Sequence, residues 1–309
     1  MPSHTPRITP RIAVAPDAPD WMVQAVAAGG AQVVDIEQAE ALVWADPSGA
    51  DELREVLRAN EQVQWVQLPY AGVEPFRNVL DEDRVWTCGK GVYAEPVAEL
   101  ALTLALTGLR HVSRFARSST WGERTGRTLM GGRVTILGGG GITEALLRLL
   151  RPFDAHVTVV RNRVQEMDGA DVVLESDQLH DSLAGADVVF LALALTPETD
   201  RIVGATELAL MESHAWLVNV ARGRHVDTAA LVEALEGEAI GGAGLDVTDP
   251  EPLPDGHKLW SLRNCIITPH CGNTPEMAAP LLSERITANV KRWAHGDPLI
   301  GPVNVELGY

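Results

Sequence analysis

Between Arg133 and Pro269, six short apolar runs (RVTIL, HVTVV, DVVFLAL, AWLVNV, IGGAGLDV and NCIITP) alternate with stretches of helical periodicity such as ITEALLRLL and TAALVEALEG. No other feature restricts the fold so strongly. Strand-length apolar runs separated by amphipathic helices belong to an α/β architecture, in which helices cover both faces of a parallel sheet. Upstream, RIAVAP, ALVWA and VQWVQLP repeat the pattern as three further strands, with DWMVQAVAAGG and DELREVLRAN as helices between them. The 309 residues, 46% of them hydrophobic, suffice for two modest cores, because single cores stop growing near this size. The expectation is two doubly wound parallel-sheet lobes. No proline- or serine-rich linker separates them, so the chain is expected to cross on helices. EPVAELALTLALTGLRHVSRFA, near residues 95–116, would make one crossing, and EMAAPLLSERITANVKRWAHG the return. The C-terminal segment would then join the first lobe, with a ligand cleft between the lobes.

The formal net charge of −17 repels phosphate backbones and anionic lipid, and argues against nucleic acid or a membrane surface as a partner. An anionic ligand would need a locally basic site. Neither a secretory leader nor a run of about 18 apolar residues is present, so a soluble, cytoplasmic protein is expected. Cys88, Cys265 and Cys271 are scattered, without paired ligand spacing. They read as reduced, packed thiols, and no metal is expected.

TILGGGGIT, Thr135 to Thr143, sets glycines between an apolar strand and a helix. A dinucleotide-binding turn has this context, because pyrophosphate oxygens must approach backbone N–H groups at a helix N-terminus. Gly138 would make the tight turn, Gly140 would admit the phosphates, and Gly141 and Ile142 would open the helix. Thr143 stands where a third glycine is usual; its side chain is expected to crowd the packing, displace the turn and weaken cofactor binding. The glycines alone also suit a plain strand-to-helix turn. The next strand runs into Arg161, Asn162 and Arg163, at the place where an acidic residue would accept from the adenosine ribose. Arg161 and Arg163 suit a 2′-phosphate, which favours NADP(H), with NAD(H) as the alternative. The same arginines could simply solvate a strand end.

Reduction of a 2-oxo acid needs a cation beside the carboxylate and carbonyl, and a proton donor at the carbonyl oxygen. Arg222 in VNVARG, Glu251 in LDVTDPEP and His270 in ITPHCG stand at the C-terminal ends of expected strands, where open α/β sheets bind ligands. Singly, each reads equally well as an exposed arginine, a turn carboxylate and a structural histidine. Their order after a glycine turn selects the catalytic reading.

The segments GVYAEPVAELALTLAL, LTPETDRIVGATELALMESHAWLVNVARG, GAGLDVTDPEPLP and NCIITPH resemble the signature stretches of the NAD(P)-dependent D-2-hydroxyacid dehydrogenases. The resemblance covers nearly the whole second lobe and reaches into the first. It implies a Rossmann cofactor domain, residues 101–284, inserted into a flavodoxin-like substrate domain made of residues 1–100 and 285–309. It implies that Arg222 holds the substrate's carboxylate and carbonyl, that His270 is the general acid, and that Glu251 pairs with it. A carboxylate beside imidazolium raises the histidine pKa and keeps the donor loaded near neutral pH. Formate dehydrogenases are similar but carry an amide partner for the histidine, so Glu251 points to an oxo-acid reductase.

The resemblance further implies that Asp246 accepts from the nicotinamide carboxamide, and that Thr196 and Pro197, with Val220 and Ala221, flank the cofactor. Amides of Ala71 and Gly72, in PYAGVEPF, would receive the substrate carboxylate. Lys90 is expected to be solvated and Trp121 packed, and the proline before Glu251 is expected to stiffen its loop. The implied activity is hydride transfer between NAD(P)H and a small 2-oxo or D-2-hydroxy acid, with glyoxylate and hydroxypyruvate as substrates. Phosphoglycerate dehydrogenases are also similar, although many carry an appended regulatory domain for which the tail PLIGPVNVELGY is too short. Corepressors of the C-terminal-binding class share the fold and the trio, so a cofactor-sensing scaffold is the rival reading, and turnover on an oxo-acid panel discriminates the two. The family also implies a homodimer, with the helix after Glu95 at the contact.

Overall fold

The structure, a computed structural model, describes residues 9–306. In chain order the elements are β1 (Arg11–Ala15), α1 (Asp20–Ala28), β2 (Gln32–Val33), β3 (Ala41–Trp44), α2 (Ala50–Ala59), β4 (Trp65–Gln67) and β5 (Val85–Thr87). Then come α3 (Ala94–Leu109), α4 (Val112–Ala116), β6 (Arg133–Leu137), α5 (Gly141–Leu150), β7 (His156–Val160), β8 (Val172–Leu174), α6 (Leu179–Leu183) and β9 (Val188–Leu191). The chain closes with α7 (Ala205–Leu210), β10 (Trp216–Asn219), α8 (Thr228–Glu236), β11 (Gly242–Leu245), β12 (Cys265–Ile267) and α9 (Pro275–His295). Two compact units result: the residues through Tyr93 with those from Thr274 onward, and Ala94–Asn273. The breaks fall where α3 and α9 begin, whereas boundaries at 100 and 284 would cut through both helices.

The first unit holds a fully parallel sheet in the order β2-β1-β3-β4-β5, a flavodoxin-like winding. Trp44, Trp65, Trp86 and Phe76 fill its core. Strands β2 and β5 add to the three expected from sequence. Their two and three residues are too short to show a period, and both residues of β2 are exposed. Asn289 on α9 donates through Nδ2 to Gln67 Oε1 at 2.9 Å, which fastens that helix to β4 inside the core.

The second unit holds seven parallel strands in the order β12-β11-β10-β9-β6-β7-β8. Edge strand β8 adds to the expected six. The order reverses at β6, which lies between β9 and β7, and open sheets of this kind bind ligands at the C-terminal ends beside such a reversal. Small residues let α3 press onto the sheet: a Cβ on Gly108 would lie 2.2 Å from Trp216 Cε3, and one on Gly244 would lie 2.9 Å from Leu104 Cβ. The helix expected through residue 116 breaks instead at His111, whose φ of 51° is left-handed, and α4 restarts at Val112. Trp121, expected to pack, is 96% exposed, because residues 117–128 beyond the break carry no helix or strand and lie on the surface. All three cysteines are free; Cys88 and Cys265 are buried, and burial pushes the Cys265 thiol up to about 12. Among the described residues, no cluster could hold a metal ion, and no helix is long and apolar enough to cross a membrane.

Candidate active site

Past β6 the chain turns at Gly138, whose φ of 112° favours glycine. A Cβ there would lie 2.2 Å from the carbonyl oxygen of Ala192, just beyond β9. Gly138 N donates to Val160 O at 2.8 Å, which ties the turn to the end of β7. Gly140 precedes Gly141, the first residue of α5, and a Cβ on Gly140 would meet nothing within 4 Å. The N-terminus of α5 therefore opens onto space in which a phosphate could approach. Thr143 does not crowd this turn. It is fully buried, and its hydroxyl donates back to Gly138 O at 2.9 Å, so the side chain braces the loop it was expected to displace.

Just beyond β7, Arg161 lies across the same turn: a Cβ on Gly139 would come within 2.6 Å of Arg161 Nε. Arg163 is exposed. In a chain of net charge −17, the glycine turn is thus locally basic. Bare backbone, a helix N-terminus and a guanidinium together fit the phosphates of a nicotinamide dinucleotide.

Three loops bring the reactive side chains together. At the end of β10, the buried Asn219 curls the chain: its Nδ2 donates to Arg222 O at 2.9 Å and its Oδ1 accepts from Ala221 N at 3.0 Å. Val220 and Ala221 are buried, and Arg222 is half-buried, its Nη1 donating to Ala221 O at 2.7 Å. Gly223 seats this loop against the one after β11, since a Cβ there would lie 1.9 Å from Thr248 O. In the second loop Glu251 Oε2 accepts from Thr248 N at 3.3 Å. From the third loop, beyond β12, His270 Nδ1 bonds Glu251 Oε1 at 2.6 Å.

The side chains of His270 and Glu251 are 52% and 40% exposed. The bond between them lifts the His270 pKa above its ordinary value and holds Glu251 below its own. The charge of Arg222 bears on both groups, opposing the rise at His270 and adding to the fall at Glu251. With Nδ1 engaged, Nε2 is the atom of His270 left to exchange a proton with a ligand.

Asp246 is buried and organises the His270 loop. Its Oδ1 accepts from Thr268 Oγ1 at 2.6 Å and Cys271 N at 2.9 Å, and its Oδ2 accepts from Gly272 N at 2.9 Å. His270 N donates to Asp246 O at 2.9 Å, which helps to hold the residue at its left-handed φ of 51°. Thr196 and the exposed Pro197 form a turn in which Thr199 Oγ1 receives Thr196 N at 2.8 Å and donates to Ala194 O at 2.7 Å. Asn219, Gly223 and Thr268 were missed in the sequence reading. Each acts through a backbone or carboxylate partner, and the asparagine before ARG is the one local signal of the curl.

In the other unit, Ala71 and Gly72 lie on the turn after β4, with Ala71 exposed. Tyr93 Oη donates to Pro69 O at 2.6 Å, and Gly89 N to Tyr70 O at 2.9 Å, so the base of that turn is fixed. Lys90 is exposed, and its carbonyl accepts from Arg285 Nη2 at 3.0 Å.

The family profile described as D-isomer specific 2-hydroxyacid dehydrogenase, NAD binding domain, matches residues 100–272, a span contained in the second unit. Over 259 residues the chain is 39% identical to an uncharacterized protein in the proB 3′ region of Corynebacterium melassecola, covering 81% of this chain and 84% of that one. It is 34% identical over 229 residues to glyoxylate reductase of Pyrococcus horikoshii, covering 70% and 68%. Among solved structures, a D-isomer specific 2-hydroxyacid dehydrogenase from Xanthobacter autotrophicus Py2, in complex with NADPH and MES, superposes with a TM-score of 0.84 at 26% identity. That match covers 98% of this chain and 100% of the other. A glycine turn built for a dinucleotide, a histidine paired with a carboxylate, and sequence kinship over most of the chain lead to one assignment: this protein belongs to the D-isomer specific 2-hydroxyacid dehydrogenases, oxidoreductases that transfer a hydride between a nicotinamide cofactor and the CH–OH carbon of a 2-hydroxy acid.

Proposed function

We propose that this protein reduces glyoxylate and hydroxypyruvate, with NADPH preferred over NADH. The 2.6 Å bond between His270 and Glu251, under the charge of Arg222, carries the reading. When bound, the dihydronicotinamide supplies the hydride for the carbonyl carbon. Arg222 grips the substrate's carboxylate and carbonyl. His270 gives the Nε2 proton to the carbonyl oxygen, while Glu251 keeps the ring charged until it does so. In the oxidative direction, neutral His270 takes that proton back.

Gly138, Gly140, Gly141 and Ile142 line the pyrophosphate, and Thr196, Pro197, Val220 and Ala221 flank the cofactor. Asp246, a buried carboxylate at the head of the His270 loop, is the acceptor for the carboxamide. Arg161 over Gly139 supports the preference for a 2′-phosphate, with Arg163 as its neighbour, and so does the NADPH in the Xanthobacter relative. The name of the Pyrococcus relative supports the substrate class. The same reading places the enzyme in the cytosol as a homodimer joined near α3, a stoichiometry that analytical ultracentrifugation would measure.

Initial rates with both cofactors across a panel of 2-oxo acids test the proposal. Higher kcat/KM with NADPH, and turnover of glyoxylate or hydroxypyruvate, are expected; tighter use of NADH, or a preference for a bulky oxo acid, would overturn the assignment.

A further inference from the structure

His225 closes the short turn Gly223–His225 after Arg222 and is fully buried. Its main chain is pinned independently of its ring, because Val203 N donates to His225 O at 3.0 Å and His225 N to Arg222 O at 3.2 Å. A buried imidazole costs free energy unless its nitrogens find partners. Here Nδ1 lies 3.2 Å from Arg222 N and 3.0 Å from Arg222 O, and Nε2 lies 3.3 Å from Ala194 O.

The lone pairs decide the tautomer. Arg222 O already accepts from Asn219 Nδ2 and from His225 N, which fills its two lone pairs. Nδ1 is therefore the acceptor for Arg222 N–H, and Nε2 carries the proton toward Ala194 O. Burial pushes the ring's pKa down, which keeps it neutral in this role. Ala194 O also receives the Thr199 hydroxyl, at 2.7 Å, and that hydroxyl accepts from Thr196 N. One ring thus spans the backbone of the arginine and the base of the 194–199 turn.

We propose that His225 is a positioning residue that locks the Arg222 main chain to the 194–199 turn, so that the group reading the oxo acid and the turn flanking the cofactor are held as one piece. The inference rests on the roles proposed above for Arg222 and Thr196.

Three substitutions in the intact protein separate the two bonds. His225→Leu removes both, His225→Asn keeps an acceptor near the place of Nδ1, and His225→Gln keeps an amide donor near the place of Nε2. We expect the oxo-acid KM to rise about tenfold in the Leu and Gln variants, but to stay within about twofold in the Asn variant, the size of effect that follows from orphaning one buried polar group. NADPH Kd, titrated by fluorescence without substrate, is expected to rise about tenfold in the Leu and Asn variants and to hold in the Gln variant. Constants that move together in both amide variants, or that stay unchanged in all three, would overturn the proposal. Should the Leu variant fail to fold, the Asn and Gln pair carries the same crossed comparison. Arg222→Gln separates the two levels of the reading: an unchanged oxo-acid KM there would remove the role of Arg222 itself, whatever the His225 series shows.

Discussion

At His270 and Glu251, each side chain shifts the other in the direction that oxo-acid reduction requires. The carboxylate lifts the imidazole above its ordinary value of 6.5, and the imidazole holds the carboxylate below its ordinary 4.5. If His270 is the proton donor, as proposed, it stays loaded below its raised value, and reduction is expected to fall as pH rises through that value. Stability follows the same signs. The His270 contribution is complete below 6.5 and is lost as pH rises through the folded-state value; the Glu251 contribution is present above 4.5 and is lost as pH falls through its lowered one. Glu251→Gln removes the charge that raises His270, and the alkaline fall in kcat/KM for hydroxypyruvate should then move to lower pH. A profile that does not move would mean that another group is the acid. Arg222, Glu251 and His270 stand out in the sequence because charged and titrating groups at several strand ends have few joint structural uses, and the structure brings His270 and Glu251 into a hydrogen bond under the charge of Arg222. His225 does not stand out, because its partners are backbone atoms that leave no mark in composition.

Among elements, the strand-and-helix alternation was legible wherever a run was long enough to show a period. Strands β2, β5 and β8 escaped because each is a sheet-edge strand of only two or three residues, too short to show a period. The break after α3 escaped for a different reason: GLRHVS continues a helical pattern, and the left-handed φ of His111 has no signature in a residue that is not glycine. Thr143 shows how a local rule can fail while the turn survives. A hydroxyl that bonds Gly138 O supplies a brace that a third glycine would lack. Thr143→Gly should therefore lower stability by about 1–2 kcal/mol, from one lost hydrogen bond and a glycine within a helix. Thermal melts of the purified variant measure it, and a higher Tm with tighter NADPH binding would show that the threonine does crowd the site.

For the whole molecule, a net charge of −17 sets the background against which an anionic cofactor must bind, and Arg161 at the glycine turn is the local exception. Ligand binding to the native state raises its stability by mass action, by about 2.7 kcal/mol at a hundredfold excess over Kd. NADPH should thus raise Tm more than NADH at equal concentration, and Arg161→Ala should remove most of that difference while leaving the NADH shift in place. Equal shifts before and after the substitution would deny the arginine its role. The division into lobes was visible in the sequence as two series of strands, but its limits were not, since α3 and α9 are continuous apolar patterns that conceal where one unit ends. The most direct test of the central claim, oxo-acid reduction driven by proton donation from His270, is the steady rate of NADPH oxidation with hydroxypyruvate, measured beside NADPH binding in the protein and in its His270→Ala variant. Turnover in the former, at least about a hundredfold loss of kcat in the latter and unchanged NADPH affinity are predicted; turnover that survives the substitution would contradict the account.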